Sequence, residues 1–253
     1  MSLLAVDIGN TTISLGLVQD QRVLKSWRIE SSLQPSDLQR RLKSAVQALG
    51  KSPYPPGAVV ICSVVPHLTG RLRSVLSAAL KVKALTIGRD IKVPIINRYR
   101  NPGQVGQDRL VCSFAAELYG TPLIVIDFGT AITFDVVSAK REYLGGIIVP
   151  GIRLSAEALW KKTALLPKVR IKAPRELIGR DTKGSILSGI FYGYGALCDG
   201  LIERIAEALD SKPHIILTGG YSRLMSKFIS QKINVVDEDL IFKGMGLLFR
   251  AMT

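Results

Sequence analysis

Histidine and cysteine are scarce in this 253-residue chain, with two of the first and three of the second. Cys62, Cys112 and Cys198 are odd in number, widely spaced and without a C-x-x-C pair, so neither a disulfide framework nor a zinc site is expected. They read as small buried hydrophobes. His67 and His214 stand far apart beside apolar runs, which argues against a histidine metal centre and a Ser-His-Asp triad. The pattern G-x-x-x-x-G-K-[ST] is missing, as is G-x-G-x-x-G after a strand, so any nucleotide would be held by a different architecture. Apolar residues come in runs of about four to eight, none near the roughly 18 needed to cross a bilayer. The opening residues show no basic flank or cleavage site of a signal peptide. No membrane partner is expected, and a cytoplasmic location is the default. Acidic residues are also few, 20 against 34 Lys and Arg, for a formal charge of +14. The excess is spread over both halves, with nothing denser than pairs such as Arg40-Arg41 and Lys161-Lys162. It reads as a solvated basic surface, and nucleic acid is not expected as a partner.

Apolar residues make up 47% of the chain, enough for a sizeable core. Two segments resemble each other: "LAVDIGNTTI" from Leu4 and "VIDFGTAITF" from Val125. They align Asp7-x-Gly9-Asn10 with Asp127-x-Gly129-Thr130 at an offset of 120 residues. A repeat at half the chain length predicts two similar domains, taken as 1–117 and 118–253. Each copy opens strand, small polar turn, strand, turn, strand, with the second turns at Gln19 to Gln21 and Ser138 to Arg141.

Helical spacing follows in "SDLQRRLKSAVQALG", "LTGRLRSVLSAALK" and "QDRLVCSFAAELYG", with "AVVICSVVP" and "VKALTIG" as strands between them. Later come one long helix over "GSILSGIFYGYGALCDGLIERIAEAL", the strand "HIILTGG", and two further helices in "LMSKFISQ" and "LIFKGMGLLFRAM". Strands alternating with helices after a β-meander imply an α/β fold with mixed sheets flanked by helices.

An Asp-x-Gly-Asn/Thr turn after an apolar strand offers backbone N–H groups to phosphate oxygens and a carboxylate to a hydrated Mg²⁺. A single copy could equally be a hairpin tip, but two copies favour a phosphate grip. Asp108 and Arg109 fall at a helix start, where they suit a general base and an anion anchor, or else a simple cap and a surface charge. Gly145-Gly146 ahead of a buried strand and Pro150-Gly151 after it mark a sharp entry into a helix. Gly219-Gly220 after a strand lets another group approach the backbone closely, or merely ends the strand.

Taken in order, "DIGNTT", "YRNPGQVGQDR", "DFGTAITFD", "GGIIVPG", "TALLP", "GRDTKGSILSG" and "TGGYS" resemble the type III pantothenate kinases, of the acetate and sugar kinase, heat-shock ATPase and actin superfamily. The resemblance runs from Leu3 to about Gly246. It implies two ribonuclease-H-like (actin-like ATPase) domains with a nucleotide cleft between them, and transfer of the ATP γ-phosphoryl to pantothenate, the first step towards coenzyme A. It further implies that Asp7, Ile8, Gly9, Asn10, Thr11 and Thr12 form a phosphate loop with Asp7 on the Mg²⁺ side. Gly129 and Thr130 would contact ATP, and Thr218, Gly219 and Gly220 would form the adenosine-side loop. Asp127 would bind a monovalent cation, K⁺ or NH₄⁺. Pantothenate would meet Tyr99, Gly106, Gln107, Asp108 and Arg109, with Asp108 as the base. Thr182 would reach it from the other subunit of a homodimer. Gln107 departs from the alanine usual in the family. Two alternatives stay open: a sugar or carboxylate kinase of the same superfamily, and a catalytically lapsed relative acting as a regulatory or nucleic-acid-binding factor.

Overall fold

A computed structural model describes residues 2–31, 35–50 and 52–252. The chain divides into two compact units, one comprising residues 1–95, 100–115 and 239–253, the other residues 96–99 and 116–238.

The first unit is a five-stranded sheet in the order β3-β2-β1-β4-β5. Strands β1 (Ser2–Ile8), β2 (Thr12–Gln19) and β3 (Arg22–Glu30) form an antiparallel meander, while β4 (Pro56–Ser63) and β5 (Ala84–Thr86) add in parallel. The β2–β3 turn carries Asp20 and Gln21 at positive φ, which matches the right-handed twist of a two-residue hairpin. Helices α1 (Pro35–Gly50) and α2 (Pro66–Leu80) join the cluster that holds Leu4, Val6 and Ile8. Leu3 and Ala5, with the opposite parity, share a second cluster with α3 (Gln107–Ala116) and α7 (Leu240–Arg250). The period-2 alternation of β1 thus serves two helical layers.

The second unit repeats the plan. Strands β7 (Leu123–Phe128), β8 (Ala131–Val137) and β9 (Glu142–Pro150) form the meander, and β10 (His214–Thr218) and β11 (Val235–Val236) add in parallel. The sheet order is β11-β10-β7-β8-β9-β6, the order of the first sheet plus β6 (Ile96–Asn97) beside β9. Helices α4 (Ile152–Lys162) and α5 (Thr182–Leu209) cover the face that presents Ile124, Ile126 and Phe128. The repeat expected at an offset of 120 is therefore a repeat of topology.

Four details depart from the sequence reading. The last helix, α7, packs in the first unit, which a cut after residue 117 would not give: Gly16 offers a bare backbone to the Phe242 ring, and Gly244 does the same for Val111. "LMSKFISQ" yields only α6 (Ser222–Met225), because the chain then crosses α5 at Gly195, where the Phe228 carbonyl fills the space of a β-carbon. Asp199 next takes the N–H groups of Ser230 and Gln231. Gly145 and Gly146 lie inside β9 rather than ahead of it, opposite Val136 and Asp135, with a register shift just before Gly145. Finally, α5 is long and apolar enough by composition to cross a bilayer, which its glycine-broken runs conceal. Its Ile186, Leu187, Ile190, Phe191, Cys198 and Ile202 are buried in the core of this unit.

Candidate active site

In the first unit, Asp7 stands one residue before the end of β1, in register with Cys62 of the parallel strand β4. Beyond it the Gly9–Thr12 loop closes on itself, the Gly9 N–H donating to the Thr12 carbonyl at 2.9 Å. Asn10 and Thr11 are exposed at its tip. Helix α3 begins at Gln107, so Asp108 lies in its first turn. Asp108 Oδ1 accepts the Arg109 N–H at 2.9 Å. The same oxygen occupies the space a β-carbon at position 106 would need. Burial pushes the Asp108 carboxyl above the usual carboxylate range, against the opposing pull of the Arg109 amide and charge.

Cys62 links these two acids. Its thiol is fully buried and pushed well up, first by burial and then by the negative charges of Asp7 and Asp108. One neutral thiol thus senses both carboxylates. Nothing in its sequence neighbourhood signals this, since a cysteine in an apolar strand looks like any core residue. Gln107 has its own neighbour: its side chain lies against Gly88, whose φ of +86° admits the close approach.

In the second unit, Asp127 stands one residue before the end of β7, in register with Thr218 of β10. Adjacent parallel strands therefore deliver the "DFGT" and "TGG" turns side by side. Gly219, with φ +86°, faces the Asp127 carboxylate so closely that a β-carbon would overlap Oδ1, and one on Gly129 would lie 3.4 Å from the same oxygen. Two glycines thus flank one carboxylate with bare backbone. The Gly219 carbonyl is tied by the Ser222 N–H at 3.1 Å and its hydroxyl at 2.8 Å. Thr130 and Gly220 are exposed. A cavity of about 570 Å³ opens beside this turn, lined by Tyr221, Arg153, Glu157, Lys168 and Arg170 among others.

Tyr99 lies in the second unit, packed on the bare face of Gly145, whose φ is +130°, with its ring 6.5 Å from that of the buried Tyr143. Its N–H donates to Asn97 Oδ1 at 3.0 Å. The preceding Arg98 is paired with Glu142. Thr182 is exposed and opens α5, where Asp181 caps the helix by accepting the Gly184 N–H at 2.7 Å.

Among the described residues no group of three or more His, Cys, Asp or Glu is gathered as a metal site. Single carboxylates are the available anionic donors. A magnesium ion that keeps most of its water and takes substrate phosphates needs no more than one or two, so Asp7 suits that role. Asp127, flanked by Gly219 and Gly129, offers one carboxylate to a weakly held monovalent cation.

Residues 3–204 match the family described as type III pantothenate kinase. A relative of that name from Halalkalibacterium halodurans is 38% identical over 251 residues, covering 98% of each chain. The chain belongs to the type III pantothenate kinase family.

Among solved structures, a Campylobacter jejuni protein described as a Baf family transcriptional activator aligns at TM-score 0.62 and 18% identity, over 98% of each chain. A ROK family glucokinase from Streptomyces griseus aligns at TM-score 0.55 and 12% identity, over 99% of this chain and 100% of that one. These likenesses carry the fold, an actin-like ATPase and sugar-kinase architecture, in agreement with the two repeated sheets. As a member of this kinase family the chain is an ATP-using phosphotransferase.

Proposed function

We propose that this protein transfers the γ-phosphoryl group of ATP to the primary hydroxyl of pantothenate, and that Asp108 is the general base. The observation that carries the reading is the Asp108 carboxylate itself, raised in proton affinity by burial and fixed by Gly106 on one side and the Arg109 amide on the other. A base is most useful when its proton affinity approaches the working pH.

In the reaction, Asp108 takes the hydroxyl proton as the new oxygen–phosphorus bond forms and the bond to the β–γ bridging oxygen breaks, releasing ADP. Arg109, one residue on, anchors the pantothenate carboxylate, and Tyr99, Gly106 and Gln107 shape the remainder of the substrate contact. The N–H groups of Gly9 to Thr12 and of Gly129 and Thr130 hold phosphate oxygens, while Thr218, Gly219 and Gly220 border the nucleoside. The cavity beside Tyr221 supports that last assignment, being large enough for a base and sugar. Asp7 would hold Mg²⁺ and Asp127 a potassium or ammonium ion, both supplying charge neutralisation for the phosphates when bound. A cytoplasmic location, where ATP is supplied, belongs to the same proposal.

The working form is a homodimer in which Thr182 of one copy reaches the pantothenate of the other. Exposed apolar side chains support this, being concentrated on the second unit. Leu165 is 91%, Ile178 79% and Leu177 60% exposed, along the segment that leads into α5. On α5 itself, Gly189 and Gly193 are exposed one turn apart, with nothing within 4 Å of where their β-carbons would be. A bare helix face of this kind admits a second helix at close range.

Substrate choice is testable directly. With ATP, Mg²⁺ and K⁺ present, pantothenate should drive ADP release and glucose or acetate should not. Release with glucose and none with pantothenate would move the protein to the sugar kinases.

A further inference from the structure

The residue that follows the third strand of each meander is Ser31 in the first unit and Gly151 in the second, the same offset of 120 that relates Asp7 to Asp127. Both stand behind the first turn of their own meander. The Ser31 N–H donates to the Thr11 carbonyl at 2.9 Å and its hydroxyl to the Gly9 carbonyl at 2.8 Å. In the second unit, the carbonyl oxygens of Gly129 and Thr130 lie against the place a β-carbon on Gly151 would take, the Thr130 oxygen close enough to overlap it.

Peptide geometry converts these contacts into a statement about the other side of each loop. The only cis peptide among the described residues is Thr121-Pro122. In a planar trans peptide the C=O and the following N–H point in opposite directions. Carbonyls 9 and 11, turned onto Ser31, therefore aim the N–H groups of Asn10 and Thr12 away from it. Carbonyls 129 and 130, turned onto Gly151, aim the N–H groups of Thr130 and Ala131 away in the same sense. N–H groups aimed to one side, successive in the second loop and separated by one residue in the first, make a concavity that suits anionic oxygens, which exposed carbonyls would repel.

We propose that Ser31 and Gly151 are paired positioning residues, each holding the carbonyls of a phosphate loop to the rear so that its amides face the nucleotide. The inference rests on the reading that these loops bind the phosphates of ATP. The two positions work by different means. Ser31 pulls its loop with two hydrogen bonds, whereas Gly151 lets its loop settle against bare backbone. The glycine is not there for conformation: its φ of −73° is open to any residue, so an alanine would act through contact with the loop alone.

Steady-state kinetics on the full-length protein test the pair. Ser31→Ala should raise KM for ATP about five-fold, as expected for one lost hydrogen bond, with KM for pantothenate unchanged, and Ser31→Thr should restore it. Gly151→Ala should show the same split. Wild-type KM for ATP in Ser31→Ala, or an equal rise in both KM values together with a lowered melting temperature, would overturn the proposal. If Gly151→Ala does not fold, the Ser31 pair of variants decides alone. Asp7→Asn distinguishes phosphate binding by the loop from the positioning role of Ser31. Should Asp7→Asn leave ATP use intact, the phosphate-loop reading fails and takes the proposal with it. Should it impair ATP use while Ser31→Ala does not, only the positioning role fails.

Discussion

Asp108 Oδ1 fills the space that a β-carbon on Gly106 would occupy, and the same oxygen receives the Arg109 N–H at 2.9 Å. The carboxylate is therefore held by an absent side chain two residues before it and by a backbone amide directly after it. Gly106→Ala should displace the base while leaving the buried faces of α3 intact. Turnover should fall by about 10²-fold, the scale of a misplaced general base, with little change in melting temperature. Comparing kcat with a thermal melt checks this. An active Gly106→Ala enzyme would mean that the carboxylate has no need of this position.

The raised proton affinity of Asp108 has consequences of opposite sign for rate and for stability. As the proposed base, Asp108 would work only when ionised, so the acid limb of the pH–kcat/KM profile should lie higher than an ordinary carboxylate would place it. Folding shows the reverse. A carboxyl whose folded-state pKa exceeds its unfolded one contributes fully below the unfolded value, and that contribution is lost as pH rises through the folded value. Asp108→Asn, which cannot ionise, should thus be more stable than wild type near neutrality. The difference should vanish in acid. Melting curves at neutral and acid pH measure it directly.

Gly219 and Asp127 form the corresponding close pair of the second unit. An alanine at 219 would both strain a backbone at φ +86° and overlap the carboxylate. Gly219→Ala should lower ATP affinity. Asp127→Asn, which keeps the shape but not the charge, should abolish the response of turnover to added potassium or ammonium while the protein stays folded. Titrating activity with KCl against an inert organic cation reads the difference, and an unchanged potassium response in Asp127→Asn would remove the cation from that residue.

Oligomeric state and substrate affinity should fail together. Ile178→Arg puts a charge into the exposed apolar segment before α5 and should yield monomers by light scattering with a large rise in KM for pantothenate. Thr182→Ala should leave the dimer intact and weaken pantothenate alone, by about one hydrogen bond, or roughly 1 kcal/mol. A fully active monomeric Ile178→Arg protein would show that no residue is shared between copies.

What the sequence discloses and what it hides divide along local and non-local lines. The meanders, their turns and the 28-residue α5 are legible because strand alternation and helical spacing are written over consecutive residues. The Asp7 and Asp127 repeat is legible for the same reason. The placement of α7 is not, since it depends on Gly16 meeting Phe242 from the far end of the chain. Helix α6 stops early because the chain crosses α5 at Gly195, some thirty residues before, after which Asp199 captures the amides of Ser230 and Gln231. Ser31 is hidden in a different way: its neighbours look like the end of an ordinary strand, and only its offset of 120 from Gly151 ties it to the loops. Likewise Cys62 resembles any buried cysteine until the β1–β4 register sets it beside Asp7.

Every role proposed above depends on phosphorylation of pantothenate with Asp108 as the base. The direct measurement is pantothenate-dependent ADP release, with ATP, Mg²⁺ and K⁺, by wild type and Asp108→Asn side by side. Wild type should release ADP only when pantothenate is added, and the variant should bind ATP normally yet turn over at least about 10²-fold more slowly. No pantothenate-dependent release by wild type, or near-equal rates in the two proteins, would contradict it.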